Sequence, residues 1–106
     1  MKIGILCACA PEFEPYRATL GGESTFIHGM QRTDGVLCGH EISAVFCGIG
    51  KVNAALGTMT LIRNCGADRI IMSGVAGAIR RGVHIGQCVM ITDCIYHDLS
   101  PQLITD

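Results

Sequence analysis

From Lys2 to Cys9 the chain is apolar or small almost without a break. A run of that kind, with no polar alternation, suits a β-strand covered on both faces. Such a strand belongs inside a sheet, so the first nine residues already call for a layered fold with helices packed on the sheet. The residues that follow supply the first helix. Pro11 falls in the first helical turn, where its missing N–H is no loss, and Glu12 and Glu14 set carboxylates near the positive end of the helix dipole. The helix is expected from Pro11 to about Leu20, with Gly21-Gly22 as its stop and Pro15 as its weak point, since a second-turn proline removes a hydrogen bond.

Thr25 to His28, Gln31 to Leu37 and Glu41 to Cys47 read as an antiparallel meander, with Cys38-Gly39-His40 as the turn between the last two. A second helix is expected from Lys51 to Asn64, because Val52, Ala55, Leu56, Met59 and Ile62 recur at helical spacing and Cys65-Gly66 ends the pattern. Asp68 to Ser73 reads as a further buried strand. Gly74, Gly77 and Gly82 then punctuate a loop that returns through Gln87 to Thr92 as a last strand. Buried strands alternating with helices, plus a meander, predict an α/β fold with a mixed central sheet flanked by helices. The 106 residues set one domain as the ceiling.

Composition removes several function classes. Eight basic residues against nine acidic ones leave a net charge of −1, no excess with which to hold a polyphosphate, so no nucleic acid partner is expected. Apolar runs such as Ile42 to Phe46 are far short of the roughly 20 residues a membrane helix needs, and the amino terminus does not read as a secretory signal. No membrane association and a cytoplasmic location are therefore expected. At 16% charged residues the chain falls below the typical ~25%, so a partner or further polypeptide is expected to cover apolar surface. Seven cysteines, an odd number without paired ligand spacing, read as free buried thiols, and no metal is expected. Met30, Met59, Met72 and Met90 read as core or interface filler, and Arg80-Arg81 as a solvated pair.

Three loops follow the carboxyl ends of the buried strands: Ala8 to Glu12, Gly48 to Asn53 and Gly74 to Ala78. In open α/β sheets ligands bind at those ends, which makes these loops the candidate pocket. Gly48-Ile49-Gly50-Lys51-Val52-Asn53 resembles the start of a dinucleotide fingerprint but carries Asn53 at the third glycine position. A tight strand-to-helix turn needing positive φ explains it equally well. Glu12 stands at a strand end and a helix start, either as a surface carboxylate satisfying the dipole or as a base able to polarise water. Tyr96-His97-Asp98 has the look of a catalytic string, yet neighbours in a strand point to opposite faces and form no relay.

Taken together, Ala8 with Glu12, Gly48-Ile49-Gly50-Lys51-Val52-Asn53-Ala54-Ala55, Gly74-Val75-Ala76-Gly77, and Gly86 with Tyr96-His97-Asp98 occur in the order of one family. The chain resembles the 5′-methylthioadenosine/S-adenosylhomocysteine nucleosidases of the nucleoside phosphorylase superfamily over nearly its whole length. The resemblance implies a three-layer architecture, of which residues 1–106 form the N-terminal portion of a single nucleosidase domain. Members of the family are about twice as long. Their second half supplies a Met-Glu segment for the ribose hydroxyls and a Ser-Asp pair that protonates adenine, and the stretch Leu99 to Ile104 departs from the family's tail. Cys7 stands where many members carry Gly, and Val75 where some carry Ser.

What the resemblance implies for function is hydrolysis of the N-glycosidic bond of methylthioadenosine or adenosylhomocysteine, giving adenine and a thioribose, with Glu12 as the catalytic base. Ile49, Val75, Ala76 and Gly77 are implied to bound the nucleoside, with no cofactor, and the family implies a homodimer. General acid catalysis is worth about 100- to 10,000-fold, so without the second half this chain alone is expected to be inactive. A phosphorylase of the same superfamily is the alternative enzyme and would want an arginine-bearing phosphate loop, for which Arg17 is the nearest candidate. A truncated, non-catalytic remnant is the alternative without an activity.

Overall fold

The computed structural model describes residues 1–98. They fall into two compact units, Met1–Ala76 and a second that begins at Gly77. The first carries the regular structure: β1 (Lys2–Cys7), α1 (Ala10–Thr19), β2 (Thr25–Ile27), β3 (Met30–Leu37), β4 (His40–Phe46), α2 (Lys51–Arg63) and β5 (Arg69–Met72). One five-stranded sheet takes the order β2-β3-β4-β1-β5.

The apolar run at the amino terminus becomes β1, with parallel neighbours on both sides. It pairs with β4 from Lys2↔Glu41 to Cys7↔Phe46 and with β5 from Ile3↔Arg69 to Leu6↔Met72. The expected meander is antiparallel throughout, β2 on β3 and β3 on β4, so the sheet is mixed. Side chains alternate across β1 and divide the core in two. Ile5 and Cys7 join Phe13 and Leu20 of the α1 region with Ile42 and Ala44, whereas Leu6 joins Leu61 of α2 with Met30, Val45, Cys47 and Cys65. One helix therefore covers each face, which gives the helix–sheet–helix layering. Helix α1 continues through Pro15, at the loss of the one hydrogen bond that this residue cannot donate.

Helix α2 spans almost the expected residues, but the apolar spacing that marks it lies on the other side. Val52, Leu56 and Met59 are 75%, 56% and 53% exposed, and the face against the sheet is Gly57, Thr60 and Leu61. The reason is distance. A Cβ on Gly57 would come within 2.6 Å of the Leu6 Cδ1 and 2.7 Å of the Cys47 Cβ, so at that turn the helix lies too close to the sheet for any side chain, and Leu61, one turn on, is the large residue that enters the core. β5 is likewise not the buried strand expected, because it forms the sheet edge and leaves Ile71 and Met72 largely exposed.

In the second unit the expected strand from Gln87 to Thr92 is not formed: the described residues from Gly77 onward contain no helix or strand. An apolar run becomes a strand only when a neighbouring strand takes its backbone groups, and residues 87–92 enter no ladder among the described residues. Local order there is a turn in which His84 and Gln87 exchange two bonds, His84 N–H to Gln87 Oε1 at 3.0 Å and Gln87 N–H to the His84 carbonyl at 3.1 Å. Tyr96-His97-Asp98 accordingly lies outside any strand, so the alternation argument made for it does not apply. The stretch Leu99 to Ile104 lies outside the described residues. No helix among the described residues is long and apolar enough to cross a membrane.

Candidate active site

At its carboxyl end β1 runs through Ala8 into Cys9, whose extended backbone (φ −142, ψ 165) precedes α1 without offering a side-chain cap. The Glu12 side chain, in the first turn of α1, turns back toward the strand ends. Its Oε2 accepts the Ala8 N–H at 3.0 Å, and its Oε1 accepts the Val75 N–H at 3.1 Å, across 63 residues of sequence. The carboxylate thus bridges the ends of β1 and β5, two parallel neighbours of one sheet. Gly74 makes this approach possible, since a Cβ there would stand 2.8 Å from Glu12 Oε1.

These bonds hold the Glu12 carboxyl below its ordinary value. The Val75 N–H is the foremost cause, partial burial opposes it, and the Ala8 N–H and Cys9 add to the lowering. Donated N–H bonds favour the charged form, so they extend the ionised range of Glu12 to lower pH. Behind it, burial first and then the Glu12 charge push the Cys7 thiol up to about 12. Cys7 is therefore a neutral thiol, not a nucleophile.

A cleft of about 400 Å³ opens over this carboxylate, lined by Cys9, Pro11, Glu12, Pro15, Tyr16, Ser73, Gly74 and Val75. Glu12 and Val75 are thus brought together as the loop argument anticipated. Ala76 does not line the cleft, and Gly77 belongs to the second unit. Ile49 is 79% exposed and does not line the cleft either. Its loop has the geometry of a tight turn: Gly48 and Gly50 take φ of 94° and 105°, and Asn53 Nδ2 donates to the Ile49 carbonyl at 2.9 Å. Asn53 stands where the dinucleotide pattern has glycine because it closes this turn from inside the helix.

Two residues of the cleft were not singled out from the sequence. The Tyr16 hydroxyl donates to Ser73 Oγ at 2.6 Å. The available signal was position alone: Tyr16 is one turn after Glu12 on the same helical face, and Ser73 is two residues before Val75. Arg17, the candidate for a phosphate loop, is engaged by the Glu14 carboxylate and the Gly22 carbonyl. Among the described residues no three His, Cys, Asp or Glu side chains gather where they could hold a metal ion. The cysteines are free thiols, but Cys38, Cys88 and Cys94 are exposed, contrary to the expectation of burial. Cys38 sits in the β3–β4 turn, and the other two lie in the strandless segment. Of the four methionines read as filler, only Met30 is in the core.

Comparison with known proteins agrees with this architecture. The Phosphorylase superfamily model matches residues 2–106. A 5′-methylthioadenosine/S-adenosylhomocysteine nucleosidase of Bacillus cereus (strain B4264) is 33% identical over 100 residues, covering 93% of this chain and 43% of the relative. Among solved structures, the S. pneumoniae 5′-methylthioadenosine/S-adenosylhomocysteine nucleosidase with a transition-state inhibitor superposes with a TM-score of 0.75 at 32% identity, over 81% of this chain and 38% of that one. A futalosine hydrolase mutant of Helicobacter pylori gives 0.70 at 33% identity, over 80% and 38%. The chain spans less than half the length of these relatives, 43% of the Bacillus cereus protein. With a match over all but its first residue, and the parallel strand ends and bridging carboxylate on which that match falls, the chain belongs to the phosphorylase superfamily.

Proposed function

We propose that this chain is the N-terminal portion of a single nucleosidase domain that hydrolyses the N-glycosidic bond of 5′-methylthioadenosine or S-adenosylhomocysteine. The observation that carries the reading is the Glu12 carboxylate, fixed in place by the Ala8 and Val75 N–H groups in the lining of a cleft. As the bond to adenine breaks, positive charge develops at the anomeric carbon and water attacks there. Glu12 orients that water and takes its proton. A carboxylate with a low pKa is a weak base, but water bonding to a carbocation becomes strongly acidic, so a fixed anion suffices. The adenine leaves with a proton delivered by an acid in the part of the relatives this chain does not span, and the hydroxyl from water ends on the thioribose.

In this reading Val75, Ala76 and Gly77, with Ile49, bound the nucleoside. Phosphorolysis is disfavoured because Arg17 is engaged by Glu14. The activity is complete only with the remainder of the domain, so this chain alone is inactive. The protein is cytoplasmic, works in nucleoside catabolism and methionine salvage, and is a homodimer, supported by the exposed row Val52, Leu56 and Met59 on α2. The test joins this chain to the second half of the Bacillus cereus relative and follows adenine release from methylthioadenosine. Glu12→Gln should reduce kcat at least about 100-fold while leaving substrate binding within about tenfold. Near-normal turnover by that variant would exclude Glu12 as the base.

A further inference from the structure

Helix α1 meets the end of β5 at two successive turns. Glu12 accepts the Val75 N–H at 3.1 Å, and Tyr16, four residues on, donates its phenol proton to Ser73 Oγ at 2.6 Å. Between the two contacts Gly74 presses on the carboxylate, with room for no side chain. Ser73 is also fixed from its other side, because its N–H donates to the Leu6 carbonyl at 3.1 Å. The bond to Tyr16 therefore joins a helix to a strand end that β1 already anchors. Beyond Met72 the sheet ladder has stopped, and the placement of the Val75 N–H depends on these side-chain contacts.

We propose that the Tyr16–Ser73 hydroxyl pair is a positioning latch for Glu12: it holds the end of β5 against α1 so that the Val75 N–H stays on the carboxylate. Neither residue is a catalytic residue, and the latch acts through the loop it holds. Adjacent-turn contacts of this kind are expected to couple, since loosening one lets the loop move at the other. With the latch open, Glu12 loses the donor that contributes most to lowering its pKa. The latch does not rest on the nucleosidase reading.

The test reads the titration of Glu12 by carboxyl 13C NMR in the 106-residue chain, with the signal identified by its loss in Glu12→Gln. The titratable groups near this carboxylate are Cys7 and Cys9 at the end of β1, Cys47 after β4, and Tyr16 on its own helix. All of them except Tyr16 are unchanged in the variants. Tyr16→Phe, which removes only the hydroxyl, and Ser73→Ala should each move the Glu12 midpoint to higher pH. The double variant should move it no further than either single one, and Ser73→Thr should leave it in place. A Tyr16→Phe chain that melts lower but keeps the wild-type midpoint, or two shifts that add, would overturn the latch. Should Tyr16→Phe not fold, Ser73→Ala against Ser73→Thr decides alone. In the joined enzyme the acid limb of kcat should follow the same upward shift. An unmoved limb in an active enzyme would overturn the proposal, whereas an inactive enzyme with a moved midpoint would discredit the nucleosidase reading and leave the latch standing.

Discussion

Two kinds of thiol share this chain, and their surroundings set their chemistry. Cys7 is buried beside Glu12 and held as a neutral thiol up to about 12, whereas Cys38 lies exposed in a turn with φ of 52°. Thiol reagents need a thiolate they can reach. At pH 8 Cys38 should therefore react in the first phase and Cys7 only as the chain unfolds globally, as mass mapping after timed alkylation will show. The sign of the pH dependence follows. The unfolded Cys7 thiol ionises near its ordinary 9.0 and the native one near 12, so between those values the unfolded state has released a proton that the native state keeps. The Cys7 contribution to stability is then present below pH 9 and lost as pH rises toward 12. A native chain whose Cys7 is alkylated as fast as Cys38 would refute the account.

At the scale of elements, α2 shows how a close approach decides what a helix face carries. Replacing a helix-interior glycine by alanine ordinarily gains about 1 kcal/mol from backbone propensity. At Gly57 the added methyl would meet Leu6 and Cys47 at 2.6 and 2.7 Å, and overpacking of a core typically costs about 1 to 3 kcal/mol. Neither neighbour can yield easily, one being a buried strand side chain and the other contacting through its Cβ. The packing term is expected to win. Urea denaturation of Gly57→Ala should thus give a midpoint lower by an amount equal to at most about 2 kcal/mol. A midpoint above wild type would mean that α2 lies farther from the sheet than described.

For the whole molecule, the telling feature is the amount of large apolar surface outside the core. Val52, Leu56 and Met59 stand together on the outward side of α2, more than half exposed, in a chain with only 16% charged residues. Contiguous apolar surface of this kind marks an interaction site. Sedimentation of the 106-residue chain should show self-association. Leu56→Lys should weaken it about tenfold or more, since burying one leucine side chain is worth roughly 1.5 to 3 kcal/mol and 1.4 kcal/mol is tenfold. A wild-type chain that sediments as a monomer at high concentration would remove the homodimer from the proposal.

The elements with strong local signals were legible in the sequence: β1 from its unbroken apolar run, the meander from its turns, α1 from Pro11 and the acids after it, and α2 from its apolar period. Each of those signals acts within a few residues, through backbone sterics, capping and side-chain spacing. Glu12 stood out for the same reason, since a strand end followed by a helix start is a local pattern, but that pattern left it open between a dipole carboxylate and a base, and only the family resemblance implied the base. What local patterns leave open is the identity of the neighbour. The period of α2 marks a helix without saying which face meets the sheet, and the close approach at Gly57, with Leu61 buried one turn on, leaves Val52, Leu56 and Met59 outward. The segment from Gln87 to Thr92 has the composition of a strand, but a strand forms only with a partner for its backbone groups. The state of Glu12 was decided the same way. The lowering of its pKa rests chiefly on the N–H of Val75, 63 residues away, a contact that exists because β5 pairs with β1 and delivers its end to the mouth of α1.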